Sequence, residues 1–220
     1  MQLTVFNGSP RGKNSNTSIL LEHFINGFTK SSASLVEIRY LLLTGNAAKN
    51  VELFGHSENV IIAFPLYADA MPGIVKYFIE KLEPFCGKDG NPTLGFIVHS
   101  GFPEAKHSRY VEKYLEKLAY RLGCPYAGTI IKPSSEGIRM MQERRTRKVF
   151  SIFHELGKNF AKNKTFDPIL LEKLVKMESL SGIGTIIVKL ISWLGLINFY
   201  WNMQLKKNGV FKDRFAQPYK

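Results

Sequence analysis

Two rhythms alternate along this chain. Short apolar runs over residues 2–6, 35–41, 58–64, 93–99 and 126–132 are continuous or partly alternating and rich in β-branched side chains, so each predicts a strand. Between them, apolar residues recur at helical spacing. Helices are expected from 18 to about 30, over 74–82 with Pro72 at the first turn, and over 106–122, closed by Gly123. The third helix carries an apolar stripe of Tyr110, Val111, Tyr114, Leu115, Leu118 and Leu122. Residues 46–55 show only a weak pattern and read as loop with a short turn.

The run 58–64 has no polar alternation and ends in Pro65, which fits a strand covered on both faces. Strands alternating with helices at this pitch form βαβ units and a parallel sheet. Five such strands with helices on both faces predict an α/β, flavodoxin-like doubly wound five-stranded parallel sheet in order 2-1-3-4-5. The expected division is a sheet domain over 1–165 and a helical C-terminal extension over 166–220. Ligands of such sheets bind beyond the carboxyl ends of the strands, where the winding reverses. That rule sets three loops side by side: residues 8–17, 65–73 and 100–104.

The first loop reads Gly8-Ser9-Pro10-Arg11-Gly12-Lys13-Asn14-Ser15-Asn16-Thr17 and runs into a helix start. Free backbone N–H groups, the helix dipole, the hydroxyls of Ser9, Ser15, Thr17 and Ser18, and the Arg11 guanidinium all suit a phosphate. A serine-rich turn that merely caps the helix is the plain alternative. The spacing is not that of a P-loop, because only three residues separate Gly8 from Gly12 and Asn14 follows Lys13; the dinucleotide pattern G-x-G-x-x-G is also absent. The second loop, Pro65-Leu66-Tyr67-Ala68-Asp69-Ala70-Met71-Pro72-Gly73, offers Tyr67 and Met71 as flat, polarisable surface. In the third, Gly101 permits close backbone approach. One phosphate loop beside two loops bearing flat apolar groups fits a phosphorylated aromatic cofactor, with FMN the natural candidate. His99 reads as a hydrogen-bonded strand-end residue rather than a base, and Asp69 lies either by the cofactor or in solvent.

Gly-Ser-Pro-Arg followed by Asn16-Thr17, the segment Pro65-Leu66-Tyr67…Met71-Pro72-Gly73…Lys76…Phe78-Ile79, and the Ser100-Gly101 turn resemble the NAD(P)H-dependent FMN reductase and flavodoxin-like oxidoreductase family over roughly residues 1–135. The resemblance implies that Ser9, Arg11, Asn16, Thr17 and Ser18 surround the FMN phosphate. It places Pro65, Leu66, Tyr67 and Met71 along the isoalloxazine and ribityl chain, and Ser100, Gly101 and Phe102 at the far edge. It implies hydride transfer from NAD(P)H to flavin and on to a quinone, nitro compound, free flavin or similar small-molecule acceptor, with no catalytic acid–base residue required. A flavodoxin-type electron carrier and a membrane-surface quinone reductase are the competing readings. Ala68 stands where relatives often carry a larger side chain. The four-cysteine cluster of the iron–sulfur relatives is missing, so no metal is expected.

Charge changes the picture only in the last third. The net charge is +12, of which residues 1–138 contribute +2 and residues 139–220 contribute +10. Around Arg144, Arg145, Arg147 and Lys148 no nucleic-acid motif or aromatic interleaving appears, so no nucleic-acid partner is expected. Helical spacing of Phe150, Phe153, Leu156 and Phe160 predicts a face that packs on the sheet. Residues 183–201 are strongly apolar, with Thr185, Lys189 and Ser192 on one stripe. Read as one helix, this stretch is a homodimer interface or flavin lid, a membrane-surface helix acting with Lys206 and Lys207 (peripheral contact through 183–207), or a span. The tail, Trp201…Gln204-Leu205-Lys206-Lys207…Phe215…Pro218-Tyr219, resembles the ends of some family members. Cys86 and Cys124 lack metal or redox spacing, and no basic leader precedes the first strand, so a cytoplasmic, optionally membrane-associated protein is expected.

Overall fold

The computed structural model describes residues 1–31, 35–175, 178–179, 182–195 and 198–217. The continuous apolar runs form the strands β1 (Gln2–Asn7), β2 (Leu35–Tyr40), β3 (Asn59–Pro65), β4 (Thr93–His99) and β5 (Tyr126–Lys132). They pair in parallel in the order β2-β1-β3-β4-β5, as the alternation of elements predicts.

Because side chains alternate across a strand, each central strand feeds two cores. Phe6, Val60, Ile62, Phe64, Phe96 and Val98 face one layer, formed by α2 (Ala47–His56), α3 (Gly73–Glu80) and α4 (Lys106–Leu122). Leu3, Val5, Ile61, Ala63, Ile97 and Ile130 face the other, where α1 (Asn16–Ser31), α5 (Glu143–Asn163) and α6 (Pro168–Leu174) pack. On that side α1 and α5 approach backbone to backbone. A Cβ on Gly157 would lie 1.9 Å from the Phe24 carbonyl oxygen, and one on Gly27 would lie 1.8 Å from that of His154. Phe153, Leu156 and Phe160 are buried at this contact, while Arg144, Arg145, Arg147 and Lys148 stay exposed, as the helical spacing predicts.

Three expectations change. Residues 47–56 form the helix α2, with Phe54 and Asn50 buried one turn apart; a polar residue on the inner face had hidden the period. On α4 the buried stripe is Ser108, Val111, Leu115, Ala119 and Leu122, so Tyr110 and Tyr114, one step round, face solvent. The stretch 183–201 is not one helix. It divides into α7 (Gly182–Trp193) and α8 (Asn198–Lys207), with Gly195 at φ +70 in the turn that follows α7; residues 196–197 lie outside the described residues. Among the described residues no helix is long and apolar enough to cross a membrane, which removes the span. The chain falls into two compact units, Met1–Glu178 and Ser179–Lys220.

Candidate functional site

Strand register decides what meets at the carboxyl edge of the sheet. Asn7 lies level with Ala63, Pro65 with His99, and His99 with Lys132, so the loops that follow begin side by side. Backbone bonds tie them: Gly8 N–H to the Ala63 carbonyl (2.7 Å), Leu66 N–H to that of His99 (2.8 Å) and Ser100 N–H to that of Lys132 (3.1 Å). A Cβ on Gly8 would lie 2.2 Å from Val75 Cγ2, so only glycine lets β1 turn this close to α3.

The first loop is a knot of local hydrogen bonds. Asn7 Oδ1 accepts the Ser9 N–H at 2.9 Å, while its Nδ2 donates to Ser18 Oγ at 3.0 Å. Ser15 caps α1, accepting the Ser18 N–H at 3.1 Å, and the hydroxyls of Ser15 and Ser18 both donate to the Gly12 carbonyl. The helix-capping role that the sequence offers as the plain alternative is therefore present. Asn16 gives its Nδ2 to the carbonyls of Ser135 (2.9 Å) and Glu136 (3.1 Å), fastening the loop after β5 to the site.

Thr17, His99 and Ser135 form a buried chain: Thr17 Oγ1 to His99 Nε2 at 2.7 Å, and His99 Nδ1 to Ser135 Oγ at 2.8 Å. Ser135 donates its hydroxyl to the Ser100 carbonyl, so it accepts from Nδ1–H; Nε2 is then the acceptor and takes the Thr17 proton. Burial, with the Lys132 charge nearby, lowers the His99 pKa to about 3, and the ring stays neutral. His99 is thus the hydrogen-bonded strand-end residue the sequence suggests. Its partner Ser135 and the Asn16 anchor at Glu136 were missed, because nothing local in the sequence joins positions 36 and 120 residues apart.

With those side-chain donors occupied, the donors left in the loop are the exposed side chains of Arg11, Lys13 and Asn14, the buried Ser9 hydroxyl, and the backbone N–H groups of Asn16 and Thr17 in the first turn of α1. The N-terminal dipole of a sixteen-residue helix adds to their pull on an anion.

In the second loop Pro65 and Leu66 are buried, Met71 packs against the core and Tyr67 is 49% exposed. Tyr67 and Ala70 exchange backbone hydrogen bonds at 2.9 and 3.0 Å around a two-residue turn. Both turn residues hold left-handed backbone, Ala68 at φ +46 and Asp69 at φ +63. Aspartate tolerates this backbone but alanine does not favour it, so the strain of this turn sits at Ala68. His107, in the first turn of α4, holds it: its Nδ1 lies 3.0 Å from Asp69 Oδ1 and its Nε2 3.2 Å from Glu104 Oε2, and its ring stacks on Phe102 at 4.5 Å. Asp69 is therefore tied to the third loop through a residue that sequence reading did not single out. In that third loop Gly101 is exposed, Phe102 half-buried and Ser100 buried; among the described residues Ser100 Oγ is a buried hydroxyl with no partner.

No protein-family model matches the chain, and no curated protein matches it. Solved structures do. The chain is similar to an FMN-dependent NADH-azoreductase from Bacillus anthracis in complex with FMN, 14% identical with a TM-score of 0.57 over 73% of this chain and 100% of that one. It is similar to an NADH:FMN oxidoreductase in its apo form, 16% identical with a TM-score of 0.58 over 82% and 96% of the two chains. An NAD(P)H:quinone oxidoreductase from Methanothermobacter marburgensis is 12% identical with a TM-score of 0.57 over 73% and 96%. At such identities the likeness shows the architecture: the sheet unit has the flavodoxin-like doubly wound fold that these proteins share.

Proposed function

We propose that the protein is an FMN-dependent oxidoreductase that passes hydride from NAD(P)H to bound flavin and on to a small-molecule acceptor such as a quinone, nitro compound or free flavin. The observation that carries this reading is the meeting of an anion-ready helix start and an exposed aromatic turn on one sheet edge. The residues fit the cofactor. Ser9, Arg11 and the N–H groups of Asn16 and Thr17 suit its phosphate, while the side chains of Asn16, Thr17 and Ser18 brace the loop from behind. Pro65, Leu66, Tyr67 and Met71 suit the ring and ribityl chain. At the far edge, the unpartnered Ser100 hydroxyl, with Gly101 and Phe102, suits the polar rim of a heterocycle.

Bound FMN would supply the hydride-accepting ring that no side chain here provides. The chain's own contribution is to hold and orient. Buried Pro65 and Leu66 keep water from one side of the site, and His99 is neutral at neutral pH, so it is no imidazolium acid. The likeness in fold to the azoreductase and the two oxidoreductases supports the reading. Anaerobic addition of NADH or NADPH to the purified, yellow protein is expected to bleach its flavin absorbance, and added quinone to restore it. A yellow protein that neither nucleotide bleaches is a carrier and not an enzyme.

A further inference from the structure

The C-terminal unit breaks the burial rule that the sheet unit obeys. Its large apolar side chains lie on the surface: Ile186, Leu190 and Trp193 on α7, and Phe199, Trp201 and Met203 on α8, with Trp193 81% exposed. Clustered exposure of this size and kind marks an interaction surface. Ile186, Leu190 and Trp193 stand at i, i+4 and i+7, one side of a helix. Lys189 and Ser192 are on its flank, where a lysine stem can run along apolar surface while its ammonium reaches outward. Residues 179–220 hold Lys189, Lys206, Lys207, Lys212, Arg214 and Lys220 against a lone Asp213, a net charge of +5. Lys206 and Arg214 lie over the Phe211 ring, at 5.0 and 4.2 Å from its centroid.

We propose that this unit, Ser179–Lys220, is a peripheral membrane anchor that lies flat in the headgroup layer of an anionic bilayer. The twelve residues of α7 reach about 18 Å, well short of the roughly 30 Å hydrocarbon core, so the helix lies along the surface. Exposed aromatic rings bordered by lysine are the combination that such a surface holds: the rings enter the acyl boundary and the cations meet anionic headgroups. A second copy of the same unit is a poorer occupant, because it would set +5 against +5.

Both tryptophans of the chain, Trp193 and Trp201, lie in this unit, so intrinsic tryptophan fluorescence reports on it alone. The test uses the full chain, with vesicles of phosphatidylcholine alone or mixed with phosphatidylglycerol. The expected result is co-sedimentation with the phosphatidylglycerol vesicles at low salt, with a blue-shifted emission maximum and clear weakening at high salt. Lys206→Glu with Lys207→Glu should weaken partitioning by about thirtyfold, near fivefold for each lysine lost, and leave the circular dichroism unchanged. No sedimentation and no blue shift at low salt overturns the proposal. So does equal binding to both vesicles, or a blue shift that appears without lipid as protein concentration rises, which would assign the face to a second copy. Flavin content and bleaching of the double variant are read separately and are expected to match the parent, so this proposal and the oxidoreductase reading fail independently.

Discussion

In the loop after β1, Ser15, Asn16, Thr17 and Ser18 spend their side-chain donors on the protein itself; in the turn after β3, Ala68 and Asp69 sit in left-handed backbone and Tyr67 stays half exposed. The first loop is thus held by the protein's own hydrogen bonds, and Pro10, Arg11, Lys13 and Asn14 are its exposed residues. The second is strained and held from outside by His107. Under the proposed function the difference separates two tasks. A small, highly charged group gains most from donors already in place, because no reorganisation cost is subtracted from binding. A planar ring that must also admit a second ring tolerates a turn that can adjust.

Breaking the rigid loop should have the largest effect. Gly8→Val puts a side chain where Val75 Cγ2 already lies 2.2 Å from the Cβ position, and is expected to cost about 3 kcal/mol or more in urea unfolding. Acid attacks the same loop through His99. Its folded pKa of about 3 lies below the ordinary 6.5, so the unfolded chain takes up a proton that the folded one refuses. Stability should therefore fall as pH drops below 6.5, by about 1.4 kcal/mol per pH unit, or about 2 kcal/mol by pH 5. Urea midpoints at pH 7 and pH 5 measure this slope, which His99→Gln should flatten. Arg11→Ala removes an outward-facing donor alone. It is expected to weaken FMN binding by about tenfold to a hundredfold with thermal stability unchanged. The strained turn gives the smallest effect, and of opposite sign. Ala68→Asn supplies a residue that the left-handed backbone favours, keeps the Asp69–His107 contact, and should raise stability by about 1 kcal/mol or less. If that substitution instead destabilises the protein by a similar amount, the turn is not strained and the contrast between the loops is lost.

The fold was legible because its strands announce themselves. Residues 59–65, 93–99 and 126–132 are apolar on both faces, and Gly123 stops α4 where a left-handed cap is needed, at φ +71. What escaped were elements decided by partners. Asn50 faces inward on α2 and broke its pattern, and the aromatic Tyr110 and Tyr114 looked like core yet lie one step off the buried stripe of α4. Gly195 divides a stretch whose hydrophobicity alone suggested one long helix. At the site, the three loops were legible through the topological rule, since strand order fixes which carboxyl ends are neighbours. The roles within them were not. A list of hydroxyls does not say that Thr17 is committed to His99, or Asn16 to two carbonyls 119 and 120 residues away.

The most direct measurement is a comparison of FMN with riboflavin, binding of each followed by quenching of flavin fluorescence at fixed ionic strength. The two ligands share the ring and differ in the phosphate. A pre-set anion grip at the start of α1 predicts saturable FMN binding and riboflavin binding weaker by about a hundredfold or more, the difference shrinking in Arg11→Ala. Equal affinity for the two, or no binding of FMN, would contradict the account.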